Sequence, residues 1–157
     1  MKKNREEALM WLKQAEYNLR VAQSNLKSRL YSASCFMSEQ SANVALNAYL
    51  VFKTSRPVSR IHSVKKLAEI CLQYDEEFKE IIEYGKILDR YYIPTRYPDA
   101  LAPPAVPYEI YTAKDAKEAV SFARKIIDKV KREFEGGKNA RAKVLDRSCK
   151  TSPRCRV

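Results

Sequence analysis

Glycine is scarce in this chain, with only Gly85, Gly136 and Gly137 among 157 residues. A phosphate-cradling loop or a dinucleotide fingerprint needs several glycines at fixed spacing, so both are excluded. Histidine is scarcer still. His62 stands alone, so any imidazole acting as general base or nucleophile activator must be that residue. The four cysteines (Cys35, Cys71, Cys149, Cys155) form no C-x-x-C pair. With one histidine they do not make the closely organised ligand set of a structural zinc, and neither a metal nor a cofactor is expected. Cys35 and Cys71 fall in apolar helical runs and read as buried thiols, whereas the spacing of Cys149 and Cys155 leaves a disulfide open. No apolar run approaches the ~20 residues that span a bilayer, nothing resembles a signal peptide, and no useful stretch alternates with period two. The expectation is a reduced, cytoplasmic, all-α protein.

What the chain does have is positive charge and helical periodicity. Thirty lysines and arginines against 19 acids give a net +11. Residues 135–157 carry +5 of it through Lys138, Arg141, Lys143, Arg147, Lys150, Arg154 and Arg156 against Glu135 and Asp146. The rest is moderately basic, which permits a nucleic-acid surface without demanding one. The length suits one domain with a real core. We place a helical bundle over 1–134 and a basic, flexible C-terminal tail over 135–157.

Ala8, Leu12, Ala15, Leu19, Ala22 and Leu26 recur in steps of four and three, which predicts a helix over about 3–27. Residues 31–52 contain no lysine or arginine and a single acid, Glu39. A helix apolar or small on nearly all sides is a central one. Buried glutamate is rare unless paired, so Glu39 is expected to meet an arginine or to lie at a subunit boundary. A short helix over about 63–72 should point Val64, Leu67, Ala68 and Cys71 inward. A fourth, capped by Asp75 and ending near Asp89, should bury Phe78, Ile81, Ile82 and Ile87. Thr112 and Asp115 form a capping box that opens the last helix, with Ala116, Val120, Ala123, Ile127, Val130 and Phe134 as its stripe and Gly136–Gly137 as its stop. The fold class is an up-down bundle of four to five helices without a sheet.

Five of the seven prolines fall in a long connection over about 90–111, before the last helix. Loops of that length in a compact domain are either functional or disordered, and tyrosine density argues against disorder. Residues 89–99 read Asp-Arg-Tyr-Tyr-Ile-Pro-Thr-Arg-Tyr-Pro-Asp. Arg90 and Arg96 are fit to hold phosphate through bidentate hydrogen bonds, and Tyr91, Tyr92 and Tyr97 are fit to stack a base. The nucleotide-binding candidates are Arg90, Tyr92, Arg96, Tyr97 and Asp99. The bland alternative packs the tyrosines on the bundle and pairs the arginines with Asp89, Asp99 or Glu39. His62, beside Ser63 at the start of the third helix, reads most simply as a capping or packing residue.

The segments Ala8–Ala22 (A-x-x-x-L-x-x-A-E-x-N-L-x-x-A), Tyr31–Ala42 (Y-x-x-x-C-F-x-x-x-Q-S-A), Ile61–Ser63, Leu88–Asp99 and Tyr111–Ala116 (Y-T-x-x-D-A) together resemble the HEPN domains (higher eukaryotes and prokaryotes nucleotide-binding), over roughly residues 5–132. The resemblance implies a helical homodimer with a cleft at the subunit boundary. It also implies a minimal nucleotidyltransferase partner, in two-component or toxin–antitoxin pairs. Many relatives are metal-independent ribonucleases carrying R-x4–6-H, in which arginine holds the phosphate and histidine moves the proton. In this chain Arg90 leads to Arg96, giving R-x5-R, and arginine stays protonated at physiological pH. Arg56 to His62 satisfies R-x5-H literally, but in the loop before the third helix. Some toxin relatives carry a nucleotide-accepting tyrosine two residues after the histidine, whereas Tyr97 follows Arg96 directly. The first expectation is therefore a dimeric, non-nucleolytic nucleotide-binding module. The alternatives are an RNase using Arg90 or Arg96 with His62, or a purely structural interaction protein.

Overall fold

The computed structural model describes residues 2–55 and 61–150, with side chains over 4–55 and 61–136. Six helices follow one another: α1 (Lys2–Lys27), α2 (Tyr31–Thr54), α3 (Val64–Leu72), α4 (Lys79–Leu88), the short α5 (Pro107–Ile110) and α6 (Ala113–Lys150). Single 3-10 turns lie at Glu76–Phe78, Asp89–Tyr91 and Pro98–Ala100. No strand occurs among the described residues, and no described helix is long and apolar enough to cross a membrane.

Alanine and serine spacing sets the first two helices close together. Ala8, Ala15 and Ala22 repeat every seven residues on α1 and are completely buried. Across the seam, the Ser41 hydroxyl donates to the Ala15 carbonyl at 2.9 Å and the Ser34 hydroxyl to the Ala22 carbonyl at 2.8 Å. Small side chains let the backbones approach, and the hydroxyls find acceptors there instead of being buried unpaired. With so few glycines, the turn after α1 uses Arg29 at φ 59°. There Leu30 N–H donates to the Asn25 carbonyl at 2.8 Å, closing the α1 C-terminus in Schellman fashion.

Helix α2 is central and packs on α1, α3, α4 and α6. The inward set expected for α3 is buried throughout, as is the α6 stripe. On the fourth helix Phe78 and Ile81 are buried, Ile82 and Ile87 only half-buried, and Gly85 and Leu88 complete the inner face. Gly85 lies where α4 meets the start of α3. A Cβ there would stand 2.6 Å from Lys65 N and 2.8 Å from Lys65 Cα, both backbone atoms. Gly85→Ala should therefore lower stability by about 2 kcal/mol despite alanine's better helix propensity, read as a thermal midpoint several degrees below wild type.

Three expectations need correcting. The fourth element is a 3-10 turn leading into α4 rather than one continuous helix. Its Asp75 cap holds, the carboxylate accepting from Glu77 N–H at 3.0 Å. The 90–111 connection is not bare loop, since it contains two of the 3-10 turns and α5. Helix α6 does not stop at Gly136–Gly137 but runs to Lys150; glycine lowers helix propensity by only about 1 kcal/mol and leaves the backbone able to continue. Arg154, Cys155 and Arg156 lie outside the described residues, and the side chain of Cys149 lies outside the described side chains. The capping box at Thr112 forms as expected: Thr112 N–H donates to the Asp115 carboxylate at 2.8 Å, and Asp115 N–H to the Thr112 hydroxyl at 3.3 Å.

Candidate functional site

Asp89 ends α4, and its carboxylate reaches back to the start of α3. It accepts from Val64 N–H at 2.6 Å, from the Ser63 hydroxyl at 2.7 Å and from Lys65 N–H at 3.3 Å. A carboxylate at a helix N-terminus satisfies orphan donors and complements the dipole. Ser63 completes the cap by accepting from Lys66 N–H at 3.1 Å. The preceding residue is tied to α2, because the Asn43 side-chain amide donates to the Ile61 carbonyl at 3.2 Å. His62, between these two anchors, is held against the loop. Its ring stacks on Tyr92 with centroids 5.2 Å apart and planes 16° from parallel.

The loop is wound tightly on its own backbone. Arg96 N–H and Tyr97 N–H both donate to the Ile93 carbonyl, at 3.1 and 3.3 Å. The buried Thr95 hydroxyl donates to the Tyr91 carbonyl at 2.5 Å. Tyr91 itself is buried and packs edge-on against Tyr111 at 5.8 Å, so it anchors the loop and is not free to stack a ligand. Tyr97 and Ile93 remain exposed, at 48% and 44%.

Arg96 is enclosed by three rings. Its guanidinium carbon lies 4.3 Å from the centre of Phe36 and 4.9 Å from those of Tyr92 and Tyr97. Nε and one Nη donate to the Tyr92 carbonyl at 2.9 and 2.7 Å. A guanidinium has five N–H donors, so this grip fixes Arg96 in place and leaves more than half of them for another acceptor. Arg90 is exposed and has no partner among the described residues, and the same holds for Asp99. Neither arginine pairs with Asp89, Asp99 or Glu39; the carboxylate of Asp89 is occupied at the α3 cap.

Glu39 is completely buried and, among the described residues, makes no ion pair with an arginine, contrary to one expectation. One carboxyl oxygen accepts from the Gln40 amide at 2.7 Å, and the other has no partner among the described residues. Burial pushes its pKa from 4.5 up to about 8; the Gln40 hydrogen bond and Arg96 act downward, and Asp89 upward. Glu39 is thus held as the neutral acid near neutral pH. A carboxyl that titrates higher in the folded state carries no penalty below its ordinary range and destabilises progressively as pH climbs to the folded value. Glu39→Gln should match wild type near pH 4 and exceed it by about 2–4 kcal/mol at pH 8 and above. Paired denaturant titrations across that range check this, and a pH-independent difference would contradict it.

Three of the motif segments converge here: Phe36 and Gln40 from α2, His62 and Ser63 from the α3 entry, and Asp89 to Tyr97 from the loop. Arg90, Tyr92, Arg96 and Tyr97 stand in this cluster or its immediate chain, and His62 joins them. The contribution of Phe36 was not singled out from sequence; its only signal was its place in the Tyr31–Ala42 motif. Arg56, the other end of the literal R-x5-H string, lies outside the described residues.

Comparison with known proteins places the chain. The family model described as HEPN domain matches residues 8–133, so this protein belongs to the HEPN domain family. TT1696 from Thermus thermophilus is 38% identical, with 80% of this chain and 96% of that one covered at a TM-score of 0.72. ST0689, an archaeal HEPN homologue, is 34% identical over 81% and 97% of the two chains, at 0.66. A HEPN domain protein from Thermotoga maritima, tm0613, shares the fold at 24% identity and a TM-score of 0.61, over 80% of this chain and 98% of that one. Among curated proteins nothing matches.

Proposed function

We propose that the protein is a homodimeric, non-nucleolytic HEPN module that binds a nucleotide through its phosphate on Arg90 and Arg96 and acts with a minimal nucleotidyltransferase, as in toxin–antitoxin pairs. The observation that carries the reading is Arg96: caged by Phe36, Tyr92 and Tyr97, fixed on the Tyr92 carbonyl, yet still exposed with donors to spare. A fixed cation with free N–H groups is preorganised for phosphate. Arg90, exposed and without a partner among the described residues, adds a second charge nearby in the chain. Tyr92, Tyr97 and Asp99 belong to the same loop and are assigned to the rest of the ligand. Dimerisation rests on family membership and on exposed apolar side chains in and after the loop: Ile93, Tyr97, Tyr108 at 74% and Ile110 at 42%.

The nuclease reading has one observation in its favour, since His62 stacks on the ring that also carries Arg96. Against it, an imidazole acting on a 2′-hydroxyl needs a partner that fixes its tautomer, and His62 has no hydrogen bond among the described residues. The experiment is incubation of the pure protein with single-stranded RNA and chelator. We expect intact RNA. Cleavage that disappears in both Arg96→Ala and His62→Ala would replace the proposal with the nuclease.

A further inference from the structure

We infer that His62 is a base-stacking platform, so that the ligand is a purine 5′-nucleotide with its base on the outer face of the His62 ring and its phosphate on the loop arginines. This rests on the nucleotide-binding reading and adds to it the residue that reads the base. One face of the imidazole is taken by Tyr92 at 5.2 Å, while the residue as a whole is exposed. Arg96 lies 4.9 Å from the centre of the same Tyr92 ring. His62 and Arg96 therefore share the Tyr92 ring, and a flat aromatic ligand can extend the stack from the exposed imidazole. Base-on-aromatic stacking depends on π area more than on hydrogen-bond pattern, so it favours the larger purine.

The chain also brings the backbones of the base platform and the phosphate grip together. His62 immediately precedes Ser63, Arg90 immediately follows Asp89, and the Ser63 hydroxyl and Asp89 carboxylate are joined at 2.7 Å. The clamp between the α3 entry and the end of α4 thus ties the backbone of His62 to that of Arg90. Asn43 holds the far side of the platform through the Ile61 carbonyl at 3.2 Å. Nothing in this arrangement asks His62 to move a proton, which fits its having no orienting hydrogen bond among the described residues.

The chain has a single histidine, so its imidazole proton signals are unambiguous in NMR. Titration of wild type with AMP should move them upfield by ring current, UMP should move them less, and inorganic phosphate should leave them nearly in place. In calorimetry His62→Ala should weaken AMP about tenfold and leave phosphate affinity unchanged, and His62→Phe should stay within about threefold of wild type because stacking is kept. Equal AMP affinity in wild type and His62→Ala, with Arg96 still required, would overturn the platform alone. No binding of AMP, UMP or phosphate by wild type would overturn the nucleotide reading as well.

Discussion

Replacing Lys129 with methionine is expected to lower the stability of the protein by about 2–3 kcal/mol, less than the loss of one partner from a fully buried pair. The Glu77 side chain is 72% exposed, and Glu133 keeps Lys53 at 3.5 Å, which limits the loss. Lys129 is only 3% exposed. Its ammonium donates to Asp75 at 2.7 Å and to Glu133 at 3.0 Å, and it also bonds Glu77 at 2.5 Å. It lies 5.3 Å from the centre of the Phe78 ring as well. Without it, three carboxylates whose oxygens lie within 4.8 Å of one another would face each other across the seam between α6 and the turn before α4. Burial alone would lower the lysine pKa, but the three carboxylate hydrogen bonds outweigh it and hold the group charged. For Asp75, burial acts upward, while the Lys129 hydrogen bond and Glu77 N–H win and hold the pKa below 3.8. A carboxylate with a depressed folded pKa contributes stability above its ordinary range and loses it as pH falls through the folded value. The wild type should therefore lose this contribution below about pH 4, and the difference between wild type and Lys129→Met should shrink there. Equal urea midpoints at pH 7 would contradict the assignment.

The second large effect falls on the loop. Arg96→Ala is expected to reduce nucleotide affinity about a hundredfold, since it removes a charge-assisted grip on phosphate worth about 1.5–3 kcal/mol and the centre of the ring cage. Arg96→Lys should recover only part of this, because an ammonium keeps the charge but cannot hold the Tyr92 carbonyl and the ligand at once with a planar fork. Arg90→Ala isolates the electrostatic part. With no partner to lose among the described residues, its stability should stay within about 0.5 kcal/mol of wild type while affinity falls about tenfold. Isothermal titration with AMP on the three variants reads these values. Wild-type affinity in Arg96→Ala would remove the loop from the binding site.

Periodicity made most of the bundle legible. The stripes of α1, α3 and α6 were buried almost residue for residue, because steps of three and four leave one face for a core. The limits of the helices were harder where chemistry is local. Gly136 and Gly137 signalled a stop, but glycine permits termination without forcing it, and α6 continues. The interior of the 90–111 connection was hidden because prolines were read as marking where a helix cannot continue, while the first position of a short helix such as α5 favours one. For the site, the motif segments were visible, and their meeting was not. Phe36, His62 and Tyr92 lie far apart in the chain and are gathered through Arg96 and the Tyr92 ring, with Asp89 capping α3 and Asn43 holding Ile61. Asp89 itself was read as a pairing option for arginine, and the helix N-terminus took it instead. Glu39 was rightly marked as unusual, yet its solution is a proton rather than a cation, which composition alone does not reveal.

The most direct measurement is a titration of isotope-labelled wild type with AMP, followed through every backbone amide. The account predicts saturable shifts concentrated in residues 89–99 and 61–63, and in Phe36 and its α2 neighbours, with the remaining amides of α1 and α6 unmoved. Saturable shifts centred anywhere else, or none at millimolar nucleotide, would contradict it.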